Sequence, residues 1–195
     1  MEYNAEELNR LIRSRRSVFP KQYDESRKVD DALVQQIVEN ATWAPNHGCT
    51  EPWKFIVYTG EGLKKLAAFQ SELYKELSGE NFKEATYNSL KTNPLKASHV
   101  IAICLKRDPN KKFPEMEEIA AVACGVQNMY LTATAYGLGC YWTTGGVTYR
   151  EQAKPFFGLE ADDKLMGFFY IAHVAVPSAP GKRKPVEEKV EWVTA

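Results

Sequence analysis

The 31 residues from Ile119 to Tyr149 contain no Asp, Glu, Lys, Arg or His. Elsewhere charge is plentiful, with Asp, Glu, Lys and Arg making up 26% of the chain, so this stretch must be buried against something. Its length invites a membrane-spanning reading, since about 20 apolar residues cross a bilayer as a helix. However, Gln127, Asn128, Thr132 and Thr134 interrupt the helical part, and Gly137 and Gly139 end it. A central helix buried inside a soluble dimer fits better, and no membrane association is expected.

With 195 residues the chain can bury about 70% of its unfolded surface without a disulfide or metal staple, so residues 1–195 are read as one domain. Lys+Arg and Asp+Glu number 25 each, which argues against nucleic acid as a partner, because phosphate backbones demand a basic surplus. Met1 to Glu7 is acidic and has no long apolar run, so no signal peptide is read. Cys49, Cys104, Cys124 and Cys140 are widely spaced and form no C-x-x-C pair. They read as reduced thiols of a cytoplasmic protein, neither a disulfide framework nor a zinc site.

Periodicity supplies the elements. Asn4 and Glu7 cap an amphipathic helix that ends near Arg16, and a second helix follows Asp30 and must stop before Pro45. Phe55–Tyr58 reads as a short buried strand. A charged helix runs from Glu61 to about Leu77, with a further helical segment or irregular loop reaching Pro94. Val100–Leu105 is a continuous apolar run, as expected of a strand covered on both faces. A long helix from about Glu115 to Tyr136 and strands at Cys140–Thr143 and Met166–Val176 complete the pattern. The fold class is α+β, a three-layer helix–sheet–helix sandwich. From about residue 177 the tail is an arm, strand-like only at Val190–Val193.

Four segments can carry chemistry. Arg15-Arg16-Ser17 offers adjacent guanidiniums and a hydroxyl to a phosphate, although arginines also favour the negative end of a helix dipole. Ala44 to Trp53, with two prolines and a glycine, is a rigid loop between helix and strand. Its His47 and Cys49 stand at i, i+2, which is no evidence for a thiolate with an oriented base, and Cys49 reads as a packed thiol. Tyr136 to Gly146 is rich in glycine. It lacks the dinucleotide fingerprint, since Trp142 occupies the third glycine position and the segment follows a helix. Gly181 to Pro185 is a basic run that reads as solvated charge in isolation or, with Arg15 and Arg16, as countercharge to a phosphomonoester. His99 and His173 lie in apolar strands and read as core histidines; no metal site is expected.

Taken in order, these segments resemble the FMN-dependent nitroreductase family over essentially the whole chain, and in particular its small single-domain NAD(P)H nitroreductase-like branch. Arg15-Arg16-Ser17 resembles the family's N-terminal phosphate motif, and Pro45 through Pro52-Trp53-Lys54-Phe55 its proline loop. Tyr136 through Gly145 resembles the segment beside the isoalloxazine, and Arg183-Lys184-Pro185-Val186-Glu187-Glu188 the C-terminal end. The resemblance implies a mixed, mainly antiparallel sheet and a homodimer with an exchanged C-terminal arm and two FMN sites in the subunit interface. Arg15, Arg16, Ser17, Trp142, Thr143, Thr144, Arg183 and Lys184 would come from one chain, and Trp43 and His47 from the other. Thr132 and Gly137 would neighbour the nicotinamide.

The implied activity is ping-pong transfer of hydride from NADH or NADPH to nitroaromatics, quinones or related electron-poor acceptors. No side chain need act as nucleophile or base. His47 is a candidate proton source, or else a hydrogen-bonding partner of the flavin or of its own loop. Glu51 stands where the family commonly has Gln, and His47-Gly48 where many relatives have serines and asparagine; both bear on substrate choice. Alternatives are reduced-flavin fragmentation, dehalogenation, flavin sensing without turnover, or an interaction domain without flavin.

Overall fold

A computed structural model of the chain describes residues 3–194; Met1 and Glu2, which open the acidic N-terminus, and Ala195 lie outside the described residues. Helix α1 spans Ala5–Ser14, and the Asn4 side chain accepts hydrogen bonds from the Glu6 and Glu7 amides at 3.0 and 3.2 Å. That satisfies two of the donors every helix start leaves unpaired. Helix α2, Asp31–Thr42, is capped in the same way by Asp30. Strand β1 (Trp53–Tyr58), helices α3 (Glu61–Ser78) and α4 (Glu84–Lys96), and strand β2 (His99–Leu105) follow. Helix α5 (Glu115–Ala135) leads to strands β3 (Gly139–Thr143) and β4 (Lys164–Ala172).

The strands order as β1-β2-β4-β3, with every neighbouring pair antiparallel. Among the described residues, parallel pairing occurs at one isolated bridge, from Ser17 to Cys140 of β3. Side chains alternate across β2, so Val100, Ala102 and Cys104 face one layer and Ile101, Ile103 and Leu105 the other. The first face packs with Phe168 and Tyr170 beneath Leu63 and Leu66 of α3, against which α4 lies. The second packs with Phe169 and Ile171 against Val34 and Ile37 of α2 and Val122, Val126 and Met129 of α5. The helix–sheet–helix sandwich is therefore as expected.

Several boundaries differ from the sequence expectations. β1 is an edge strand, paired only with β2, and is half-exposed where a buried strand was expected. The ambiguous segment before Pro94 is helix α4, which carries that proline in its last turn. β4 ends at Ala172 instead of Val176, because residues 173–176 leave the sheet to pair with residues 22–24. The Asp24 amide donates to the His173 carbonyl at 2.9 Å, and the Ala175 amide to the Gln22 carbonyl at 2.9 Å. His173 is accordingly half-buried and outside the core. His99 is a core histidine, 1% exposed, within 2.9 Å of Ser98 Oγ and 3.0 Å of Asp31 Oδ1. Residues 190–193 form no strand.

The uncharged run occupies α5, β3 and the turn beyond. One face of α5 is core, while Ala120, Cys124 and Gln127 form a neutral strip open to solvent in the single chain. Among the described residues no helix is long and apolar enough to cross a membrane.

Candidate active site

α1 ends as Arg15 turns to extended geometry, and the chain then bonds to the sheet: the Val18 amide donates to the Cys140 carbonyl at 2.8 Å. The returning tail is tied alongside. Gln22 Nε2 donates to the Val176 carbonyl at 3.0 Å, and Ser178 Oγ donates to the Ser17 carbonyl at 3.1 Å. Gly181 then lies on Arg16 so closely that an added Cβ would stand 2.6 Å from the guanidinium carbon. This path delivers Arg183 to a cleft of about 660 Å³ shared with Ile12, Arg13, Arg15, Arg16 and Gln127.

Two basic segments about 165 residues apart thus meet at one point, forming a concentration of guanidinium donors suited to bidentate recognition of an oxyanion. Arg16 fulfils both readings of its sequence. Its Nη1 donates to the Arg13 and Arg15 carbonyls at 2.6 and 2.7 Å, closing the end of α1, while its buried Nε has no hydrogen-bond partner among the described residues. A buried donor without a partner costs about 1–3 kcal/mol, which an anion in the cleft would recover. Lys184 is exposed and does not line the cleft.

Tyr130 of α5, which no motif in the sequence singles out, organises the next part of the site. Its hydroxyl accepts from the Trp142 amide at 2.7 Å, Arg15 lies 4.9 Å above its ring, and Phe169 meets it edge-on at 4.8 Å. Burial pushes its phenol pKa up, opposed by hydrogen bonding to Ser17 and Trp142, so it stays a neutral hydroxyl at physiological pH. Trp142 is pinned a second time, its Nε1 donating to the Met166 carbonyl at 3.1 Å. Strand alternation separates the expected flavin-lining trio. Trp142 and Thr144 line a pocket of about 480 Å³ with Ile119, Leu165, Met166 and Arg150. Thr143 opens instead into a smaller pocket of about 180 Å³ beside Gly145, Gly146, Asn93 and Gln70. Gln70 is 1% exposed, and its Nε2 has no partner among the described residues.

The proline loop is braced from outside. Gly48 adopts φ +64°, and the Phe113 ring occupies the place where a Cβ would sit. His47 stacks on the same ring at 3.7 Å, with Nδ1 2.5 Å from Glu117 Oε2. Asn46 Oδ1 accepts from the Glu51 amide at 2.9 Å, holding Glu51 at φ +46°. Cys49 is exposed, contrary to the packed thiol expected, because the tight turn points it away from the core. Trp43 is 80% exposed at the end of α2. Neither Trp43 nor His47 lines the arginine cleft or the Trp142 pocket of its own chain.

Thr132 and Gly137 have roles in the fold itself. Thr132 Oγ1 accepts from Asn40 Nδ2 at 3.0 Å between α5 and α2, and Gly137, at φ +69°, ends α5. Among the described residues, no group of three or more His, Cys, Asp or Glu side chains is arranged to hold a metal ion.

The sequence profile of the Nitroreductase family matches residues 12–173, and the chain belongs to that family of oxidoreductases. YfhC of Bacillus subtilis strain 168, provisionally named an NAD(P)H nitroreductase, is 25% identical over 182 residues, covering 93% of this chain and 92% of its own. An Archaeoglobus fulgidus protein provisionally named an NADH dehydrogenase/NAD(P)H nitroreductase is 30% identical over 149 residues, or 75% of this chain and 71% of its own. The crystal structure of a nitroreductase-like family protein from Bacillus cereus matches 100% of this chain and 99% of its own, with a TM-score of 0.82 and 28% identity. The FMN-dependent nitroreductase NfnB from Mycobacterium smegmatis, solved in complex with NADPH, shares the fold with a TM-score of 0.77 at 19% identity, over 97% of this chain and 99% of its own.

Proposed function

We propose that the chain is an FMN-dependent oxidoreductase that takes electrons from NADH or NADPH and passes them to nitroaromatics, quinones or related electron-poor acceptors. The observation that carries this reading is the meeting of Arg15, Arg16 and Arg183 around a cleft into which a buried, unpartnered Arg16 Nε contributes a donor. A phosphomonoester supplies the acceptors and charge such a cleft lacks. Bound FMN would supply the redox chemistry, and the protein binding, orientation and electrostatics.

The arginines hold the phosphate. Ser17 and Tyr130 fix Arg15 and Trp142 relative to one another. Trp142 and Thr144 wall the ring system and shield it from water, while Thr143 faces a separate pocket across the strand, and Lys184 adds charge at the rim. Trp43 and His47, which lie away from their own chain's cleft, complete the site of a second copy. The neutral strip on α5 suits a two-fold contact between subunits, and the part of the arm beyond Arg183 packs on the partner, since residues 178–183 are tied to their own chain. His47, held at Nδ1 by Glu117, presents Nε2 for hydrogen bonding or proton donation. Thr132 and Gly137 neighbour the nicotinamide. Donor and acceptor use the site in turn, which gives ping-pong kinetics. Four free cysteines suit a reducing, cytoplasmic setting.

Spectroscopy tests the reading directly. The purified protein is expected to be yellow and to release FMN on denaturation, and it should oxidise NADH or NADPH with menadione. Arg15→Ala combined with Arg16→Ala should reduce FMN retention at least tenfold while the far-UV circular dichroism stays native. A colourless protein that does not take up added FMN would refute the proposal.

A further inference from the structure

His47 is fixed by groups from outside its own loop. Its ring stacks on Phe113, with centroids 3.7 Å apart and planes 26° from parallel. Its Nδ1 lies 2.5 Å from Oε2 of Glu117, in the first turn of α5. Phe113 is anchored in turn. Its carbonyl lies 3.5 Å from Arg107 Nη2, and Arg107 Nη1 is paired with the buried Glu118 at 2.5 Å.

The three acidic residues that open α5 have different partners. Glu115 pairs with Lys164 at 3.3 Å, and Glu118 takes Arg107 and the Asp108 amide. Glu117 faces His47 and pairs with no Lys or Arg among the described residues. An ionised carboxylate only accepts hydrogen bonds, so the hydrogen between the two side chains sits on Nδ1. That settles which ring nitrogen is left to meet another group: it is Nε2.

Stability does not explain this arrangement. The His47 and Glu117 side chains are 60% and 44% exposed, and a pair so placed contributes little. The same loop holds Cys49 at φ +52° and Glu51 at φ +46°, left-handed conformations that cost such residues more than an exposed pair returns. Gly48 is needed besides, because the Phe113 ring lies where a side chain would begin. Strain kept without a return in stability is kept for the geometry that it presents.

We infer that Glu117 is a positioning residue of the active site. It holds the hydrogen of His47 on Nδ1 and, with Phe113, aims Nε2 into the site of a second copy. The inference rests on the function proposed above and deepens it, since the start of α5 joins the parts that each chain lends its partner. Glu117 touches no reacting atom and acts through His47.

Nitrogen NMR of the purified flavoprotein, isotope-labelled at histidine, tests this, because a ring nitrogen that bears hydrogen resonates apart from a bare one. The His47 signals are identified by their loss in His47→Ala. At about pH 8, where ordinary imidazoles are neutral, Nδ1 of His47 is expected to bear the hydrogen. In Glu117→Ala the hydrogen should move to Nε2. Glu117→Gln, whose amide oxygen still accepts, should keep it on Nδ1. In assays with NADH and menadione, Glu117→Ala should lower kcat/KM about tenfold, and Glu117→Gln should stay within about threefold of the wild type. Combining Glu117→Ala with His47→Ala should cost no more than His47→Ala alone. A bare Nδ1 in the wild type, an unmoved hydrogen or unchanged kcat/KM in Glu117→Ala, or losses that multiply in the double variant each overturn the inference. A wild type that binds no flavin and oxidises no NADH or NADPH is a different failure. It defeats the function proposed above, while the nitrogen signals still report on Glu117 in the same sample.

Discussion

A methyl group on Gly48 would have to share space with the ring of Phe113, and the backbone there is in a conformation that side chains avoid. Gly48→Ala should therefore cost about 1–2 kcal/mol and lower Tm by several degrees. It should also free His47 from Glu117, which histidine NMR shifts would report. Gly181→Ala makes an instructive contrast. The nearest atoms its Cβ would meet belong to the Arg16 guanidinium, a side-chain end and not backbone, so the fold should tolerate it at the expense of the bonds that guanidinium makes to the end of α1. Displacing that guanidinium should loosen FMN severalfold while Tm falls by only about 1–3 degrees, less than for Gly48→Ala, as cofactor-release and melting experiments can show together. Tyr130→Phe removes the acceptor of the Trp142 amide, a loss of about 1–3 kcal/mol measurable by denaturant unfolding.

Helices α2 and α5 meet where neither can give way, since a Cβ on Gly125 would lie 2.9 Å from the Ala41 carbonyl. Gly125→Val should separate the pair and destabilise the domain by about 3 kcal/mol, read from the midpoint of urea unfolding. At the other end of α2, burial holds the His99 pKa below its ordinary 6.5, while hydrogen bonding to Asp31 pulls it back up. The unfolded chain therefore takes up this proton first as pH falls. The stability tied to a neutral His99 is full above about pH 6.5 and declines as pH drops toward the folded value. Tm should fall between pH 7.5 and 5.5, and His99→Gln should flatten that slope. Helices α1, α2, α3 and α5 and strand β2 were legible from their apolar patterns, whereas α4 was left open between helix and loop. The end of β4 was not, because Val174 and Val176 are as strand-like as the residues before them. What redirects them is the backbone of residues 22–24, a partner no local pattern announces. Phe113 and Tyr130 were hidden for the same reason: each acts on a residue brought near only by the fold.

The arginine cleft depends on the whole chain, because α1 supplies Arg15 and Arg16 and a tail that has crossed the sheet supplies Arg183. Each cluster alone reads as ordinary surface charge; their charge allowed a joint reading as a phosphate site, and the family resemblance gave the reason to prefer it. Truncation after residue 176 should leave the helical and strand signals of circular dichroism largely intact while abolishing FMN retention. Light scattering should then show a monomer, if the arm packs on a partner as proposed. The closure of this cleft also has a consequence in time. A ribosome makes the chain from its N-terminus at about 5–20 residues per second. Arg15 and Arg16 are made before any of the four described strands, whereas Arg183 follows all of them. A polypeptide made only as far as β4 thus carries an open anion cleft that still lacks one of its arginines.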